Sequence, residues 1–186
     1  MVPVPQENLK RWTVDEVRRM IDSGSFERPE RFELVDGLIL DKMGQNALHR
    51  ISLQLALEAM RTVFAGRAIA VAGVPLPLSA TSEPEPDVMV RTSDLRQDVR
   101  KEDVLLVLEV ADTSLKSDQT VKAALYARHG IPEYVILDVV SRRAEIRRRP
   151  KGEDWGETLV LTEDGEFTPL GASAPIRVAD LFGDPS

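Results

Sequence analysis

The sequence predicts an α/β fold built as one domain, and three observations carry that prediction. Residues 104–111, VLLVLEVA, form an apolar run of strand length, and 133–140, EYVILDVV, form a second. Both read as strands buried on two faces. A helical stretch at about 116–129 lies between them, with Gly130 as its stop and Pro132 just beyond. Strand, helix and strand in so short a span make a βαβ unit, whose strands run parallel with a right-handed crossover. The whole chain has 186 residues, 42% hydrophobic and 30% charged. That is an ordinary composition and length for one soluble globular domain.

The other elements follow in order. Thr13 with Glu16 makes a capping box for a helix to about Asp22, closed by Ser23-Gly24-Ser25. RFELVDGLILDKM reads as two strands hinged at Asp36-Gly37, the strongest short hairpin signal. Asn46 caps a long helix to about Phe64, with Gly66 as its stop. This helix carries two stripes, one of Leu48, Ile51, Leu55, Ala59 and Thr62, the other of Leu53, Leu57, Met60 and Phe64. So broad an apolar surface implies burial, or packing against both a sheet and a partner chain. Residues 68–79 give short strands confined to an edge by Pro75 and Pro77. DVMVR is the next strand. The crossover helix should turn Val121, Ala124 and Leu125 toward the core. Beyond 140, AEIRRRP, ETLVLTED and the tail near IRVADLF add further β-structure. The expected organisation is a single domain over 1–186, with its core at about 12–140 and a β-rich extension at 141–186.

Composition excludes several chemistries. With no Cys there are no thiolate metal sites, iron–sulfur clusters, thiol nucleophiles or disulfides. No apolar run reaches the ~20 residues of a membrane span, and MVPVPQENLKRW lacks a signal-peptide core, so a cytoplasmic protein is expected. The net charge of -7 argues against coating nucleic acid through bulk positive charge. It leaves open a nucleic-acid enzyme whose active site needs clustered carboxylates. There is no Gly-rich phosphate loop, no HExxH and no serine-nucleophile elbow.

Glu109 is the informative anomaly, because it interrupts the apolar run of a central strand. A buried carboxylate is costly unless it is paired, hydrogen-bonded or bound to a metal. It also stands toward the carboxyl end of that strand, just before the crossover, where open α/β sheets place ligands. Asp87 opens DVMVR. If this strand pairs antiparallel with the Glu109 strand, the two carboxylates meet as hard oxygen ligands suited to Mg²⁺ or Mn²⁺. Lys122 lies about a turn into the crossover helix. It is either an ordinary i,i+4 surface partner of Asp118 or an ammonium held above the strand ends.

These positions, with the order of elements around them, resemble the PD-(D/E)XK nuclease superfamily, and within it the restriction-endonuclease-like Uma-type family. The motifs are FELVDG at 32–37, His49 in the long helix, Pro86-Asp87 opening a strand, and LEVADTSLKSDQTVKAALYARHGIPEYVILD at 108–138. The resemblance implies a restriction-endonuclease-like αβββαβ core with a mixed central sheet flanked by helices. It makes Asp87 and Glu109 metal ligands and Glu33 a supporting acid. The superfamily's lysine two residues after the second acid is absent, since Ala111 stands there; the Uma-type pattern takes it from the next helix, here Lys122, with Lys116 as the substitute.

Other candidates belong to substrate contact: His49, Gln54 and Lys116, together with Arg147 and Arg149 in the segment 142–151. That segment holds six basic residues against one acid, and reads as a charged hairpin edge or a phosphate-contacting rim. His49 reads more readily as a hydrogen-bonded structural residue than as a ligand, and Tyr126 as core packing with its hydroxyl satisfied. The resulting expectation is a Mg²⁺- or Mn²⁺-dependent endonuclease acting on nucleic acid, DNA before RNA, as a homodimer without a membrane partner. One rival is a nuclease-like fold that binds nucleic acid or protein without cleaving. Another is acid–base work on a glycosidic bond, against which an aromatic content of 5% speaks.

Overall fold

The structure is a computed structural model that describes residues 9–42, 46–92 and 94–183. Helix α1 (Val14–Asp22) begins on a reciprocal capping box: the Thr13 hydroxyl accepts from the Glu16 N–H, and the Glu16 carboxylate accepts from the Thr13 N–H. Strands β1 (Phe32–Val35) and β2 (Leu38–Asp41) pair antiparallel, with Val35 opposite Leu38. A two-residue turn of this kind needs left-handed backbone at both central residues. Asp36 and Gly37 supply it, with φ of 50° and 74°. Gly37 is further constrained because an added Cβ would stand 2.8 Å from the Arg11 Cβ. The hairpin is a sheet of its own, tied to the rest by a bridge between Leu34 and Glu83.

Helix α2 (Ala47–Val63) is capped by Asn46, whose side chain accepts from the His49 N–H at 2.9 Å. Its second apolar stripe is buried through Leu57, Met60 and the following Phe64. Its first stripe is not: Leu48 and Ile51 are 40% and 45% exposed, and the inner face is completed by His49, Ser52, Ala56 and Val63.

The main sheet has six strands in the order β3 (Ile69–Ala72), β4 (Val88–Arg91), β5 (Val104–Ala111), β6 (Glu133–Asp138), β7 (Arg143–Lys151) and β8 (Asp154–Leu161). β5 and β6 run parallel and every other neighbouring pair runs antiparallel, so the sheet is mixed. β3, beside the prolines, forms one edge as expected. The basic strand β7 lies between β6 and β8, so the opposite edge belongs to β8 rather than to residues 142–151. Strand alternation sends successive side chains to two cores. Leu106, Leu108, Val110, Val135 and Leu137 pack under α2 together with Phe167, Ile176, Leu181 and Phe182 of the C-terminal segment. Met89, Val107, Ala111, Tyr134 and Ile136 pack on the other face beneath the crossover.

The crossover is interrupted. A short α3 (Leu115–Ser117) leads into a π turn (Asp118–Lys122) and then into α4 (Ala123–Arg128). Of the expected inward set, Leu125 is buried and Ala124 half-buried, while Val121 is corrected by this turn. Val121 is 46% exposed, while Ala123, Leu125 and Tyr126 are buried. The wider turn adds a residue, so a period of 3.6 carried through it places the wrong side chains inward. Gly130, at φ 74°, ends α4. β9 (Glu166–Phe167) and β10 (Ile176–Arg177) form a small closing sheet. The order α2, β3, β4, β5, crossover, β6 is the αβββαβ core. Among the described residues, no helix is long and apolar enough to cross a membrane.

Candidate functional site

Antiparallel pairing of β4 with β5 sets Val88 opposite Leu108, which brings Asp87, just before β4, alongside Glu109. Parallel pairing of β5 with β6 sends the crossover over the end of β5. The π turn therefore passes above Glu109, and β1 delivers Glu33 from the hairpin. The result is three carboxylates around one ammonium, with Asp87 beside them. Lys122 Nζ lies 3.0 Å from Glu109 Oε1, 3.2 Å from Glu33 Oε1 and 4.0 Å from Asp118 Oδ1. Tyr126 donates its hydroxyl to Glu109 Oε1 at 2.8 Å. Asp87 Oδ2 accepts from the Val110 N–H at 2.8 Å and lies 3.3 Å from His49 Nε2. Asp118 Oδ2 accepts from the Ser114 hydroxyl at 2.7 Å, and Glu33 Oε2 accepts from the Glu85 N–H at 3.3 Å. The four carboxylates, His49 and Lys122 line a cleft of about 300 Å³, with Lys42, Glu85 and Asp112 among its other walls.

The charges do not balance, and the imbalance sets the electrostatics. Burial pushes the Glu109 carboxyl up to about 8; Lys122 opposes this, while Asp87, Asp118 and Glu33 add to it. Burial likewise raises Asp118, against the pull of Lys122 and the Ser114 hydroxyl. Burial by itself would lower Lys122, but Glu109, Glu33 and Asp118 outweigh it and hold the ammonium well above its ordinary value. The two directions are compatible. One ammonium shared by several acids stays charged, and the negative surplus falls on the carboxylates. Tyr126 is raised well above its ordinary value, first by burial and then by Glu109, so it remains a hydrogen-bond donor.

The donor set fits a hard divalent cation. Among the described residues, every contact to Asp87 falls on Oδ2, and every one to Glu109 on Oε1. Asp87 Oδ1 and Glu109 Oε2 are outside these bonds, and neither is a buried atom without a partner. Two unengaged carboxylate oxygens in a negatively charged cleft are suited to Mg²⁺ or Mn²⁺. Among the described residues, no three His, Asp or Glu side chains already form a metal-binding group. A cation that takes one or two carboxylates and completes its shell with water and phosphate oxygens needs no such group.

Asp87, Glu109, Lys122 and Glu33, expected together, are together, and His49 joins them. Gln54 on α2 and Lys116 on α3 are exposed and lie outside the cleft lining, as do Arg147 and Arg149 on β7. Much of the positive charge of 142–151 is taken up by ion pairs: Arg147 with Glu145, Arg148 with Glu133, and Arg149 with Glu157 at 3.4 Å. The surface ion pair weighed for Lys122 is corrected, since its side chain is 11% exposed and that of Asp118 3%.

Asp118 and Tyr126 were missed as members of the site. The available signal was the spacing 118, 122, 126. In a regular α-helix each four-residue step overshoots a turn by about 40°, fanning three such residues over about 80°. The π turn offsets part of that drift and brings all three to one place, which a helical period cannot anticipate.

Comparison with known proteins comes from two directions. The family model Uma2, described as "Putative restriction endonuclease", matches residues 14–177. Among solved structures, the crystal structure of "a putative nuclease belonging to DUF820" from Anabaena variabilis superposes with a TM-score of 0.70 at 16% identity, covering 91% of this chain and 96% of that one. At that identity the likeness speaks for the fold. No curated protein matches the chain.

Proposed function

The chain belongs to the Uma2 family of "Putative restriction endonuclease" proteins, and on that premise we propose that it is a Mg²⁺- or Mn²⁺-dependent endonuclease hydrolysing phosphodiester bonds of nucleic acid, DNA in preference to RNA. The observation that carries this is Asp87 standing beside Glu109, each with one oxygen tied to protein donors and the other without a bond among the described residues. These two residues would hold the cation. When bound, it would polarise the scissile phosphate and lower the pKa of a coordinated water.

The remaining work belongs to the chain's own groups. The Val110 N–H and His49 orient Asp87, while Tyr126 and Lys122 orient Glu109. Glu33 shares the Lys122 ammonium and keeps it over the strand ends. From there Lys122 can orient the attacking water and neutralise charge as it develops on the phosphoryl oxygens. Low exposure keeps bulk water from screening these interactions. We treat residues 1–186 as a single domain with its core at about 12–140, and the exposed Leu48 and Ile51 as support for a homodimer. A monomer in sedimentation at tens of micromolar would remove that support.

The deciding experiment incubates wild type and Glu109→Ala with single- and double-stranded DNA and RNA, in Mg²⁺, Mn²⁺ or EDTA. Metal-dependent cleavage of DNA by wild type alone is the expected result, and equal cleavage in EDTA would overturn the assignment.

A second reading, a nuclease-like module that binds without cleaving, draws on one observation. Lys122 already stands among the acids as a built-in counter-ion. Calorimetry separates the two, because a folded protein that binds no divalent ion at millimolar concentration favours the binding module.

A further inference from the structure

Tyr126 is fully buried, at the point where the crossover meets the sheet. Its hydroxyl donates to the same Glu109 oxygen that receives Lys122, at 2.8 Å. A lysine is a flexible cation whose three donors are here shared among several acids, and by itself it does not fix the plane of one carboxylate. The phenol does. A ring has two torsions, and this one is clamped. It packs at 4.9 Å, tilted by 56°, against Tyr134. Tyr134 is held in turn by its own hydroxyl, which donates to the Asp118 carbonyl at 3.1 Å. Beyond it Trp155 stacks at 6.1 Å, with its indole N–H on the Ala123 carbonyl at 3.0 Å. The aromatic column therefore ties both ends of the π turn to the sheet and presents one phenol oxygen at a fixed place.

From this geometry we infer that Tyr126 is a positioning residue for divalent-cation binding: it holds Glu109 by Oε1 so that Oε2 stays turned to the cleft. The inference rests on the proposed metal site of Asp87 and Glu109. Donors that orient a metal's carboxylate ligands commonly contribute 10- to 100-fold in metal affinity.

The test is calorimetric titration of the full chain with Mn²⁺, alongside thermal melts, for wild type, Tyr126→Phe, Tyr134→Phe and Glu109→Gln. Tyr126→Phe keeps the ring and removes only the hydroxyl. Tyr134→Phe removes the neighbouring hydroxyl, which secures the helix but does not touch Glu109, and so reports the effect of loosening alone. The expected result is a Mn²⁺ Kd weakened about 10- to 100-fold in Tyr126→Phe, with Tyr134→Phe near wild type whatever its melting temperature. Unchanged affinity in Tyr126→Phe overturns the inference and leaves the metal site standing. Equal losses in both tyrosine variants also overturn it, because general loosening then explains the effect. If wild type binds no Mn²⁺, or Glu109→Gln binds as well as wild type, the metal site itself fails and the inference falls with it.

Discussion

Asp87 and Lys122 make different demands on a substitution. In Asp87→Asn the amide oxygen can still accept the Val110 N–H, so the local fold survives while the anionic ligand is lost. Cleavage should be abolished with little change in melting temperature, and full activity in this variant would sink Asp87 as a ligand. Lys122→Ala removes the ammonium from three acids at once. Loss of one such electrostatic donor slows comparable reactions roughly 10²–10³-fold, and single-turnover cleavage at saturating Mn²⁺ measures it. Lys122→Ala should also bind Mn²⁺ without having to reorganise the ammonium, so a slow rate with retained metal affinity is the signature expected.

At the scale of elements, the π turn is the part whose geometry decides the site. Thr120 is exposed within it. Deleting Thr120 should let the crossover close into a continuous α-helix, swinging Asp118 and Lys122 off the line that leads to Tyr126. Far-ultraviolet circular dichroism should show helix content retained while metal-dependent cleavage is lost; activity near wild type would show that the turn is not needed. β5 makes the contrasting case. Leu106 and Leu108 are fully buried, and Leu108→Ala should cost about 2–5 kcal/mol through lost transfer energy and a residual cavity, read by urea unfolding.

At the scale of the whole molecule, the negative surplus makes stability depend on pH. Glu109 sits near 8 when folded, against an ordinary value of 4.5. Between those values the folded state holds a proton that the unfolded state has released, so stability falls as pH rises. Asp118 and Glu133, both raised by burial, push in the same direction and outnumber His129, which burial lowers and which pushes the other way. Without divalent ions the protein should therefore be less stable at pH 8 than at pH 5, and Mn²⁺ should recover more stability at the higher pH. Chemical denaturation at both pH values, with and without Mn²⁺, checks this. Stability that rises from pH 5 to 8 without metal would contradict the electrostatic picture.

Local chemistry made much of this protein legible from its residues. Capping at Thr13 and Asn46, the Asp36-Gly37 turn and the apolar runs of β5 and β6 each act over a few residues, so their elements stand where the sequence places them. Glu109 announced itself because an ionisable group in an apolar strand has few physical justifications, and the antiparallel register then brought Asp87 beside it. Tertiary structure decided what depends on distant segments meeting. Glu33 reaches Lys122 across 89 positions of chain only because the hairpin folds over the strand ends. Tyr126 becomes the hydrogen-bond partner of Glu109 rather than filler, at the end of a π turn. In the basic segment at 142–151, Arg147, Arg148 and Arg149 are each paired with an acid of β6, β7 or β8. Spacing along the chain specifies periodic elements, whereas the site is made by where those elements break period and cross.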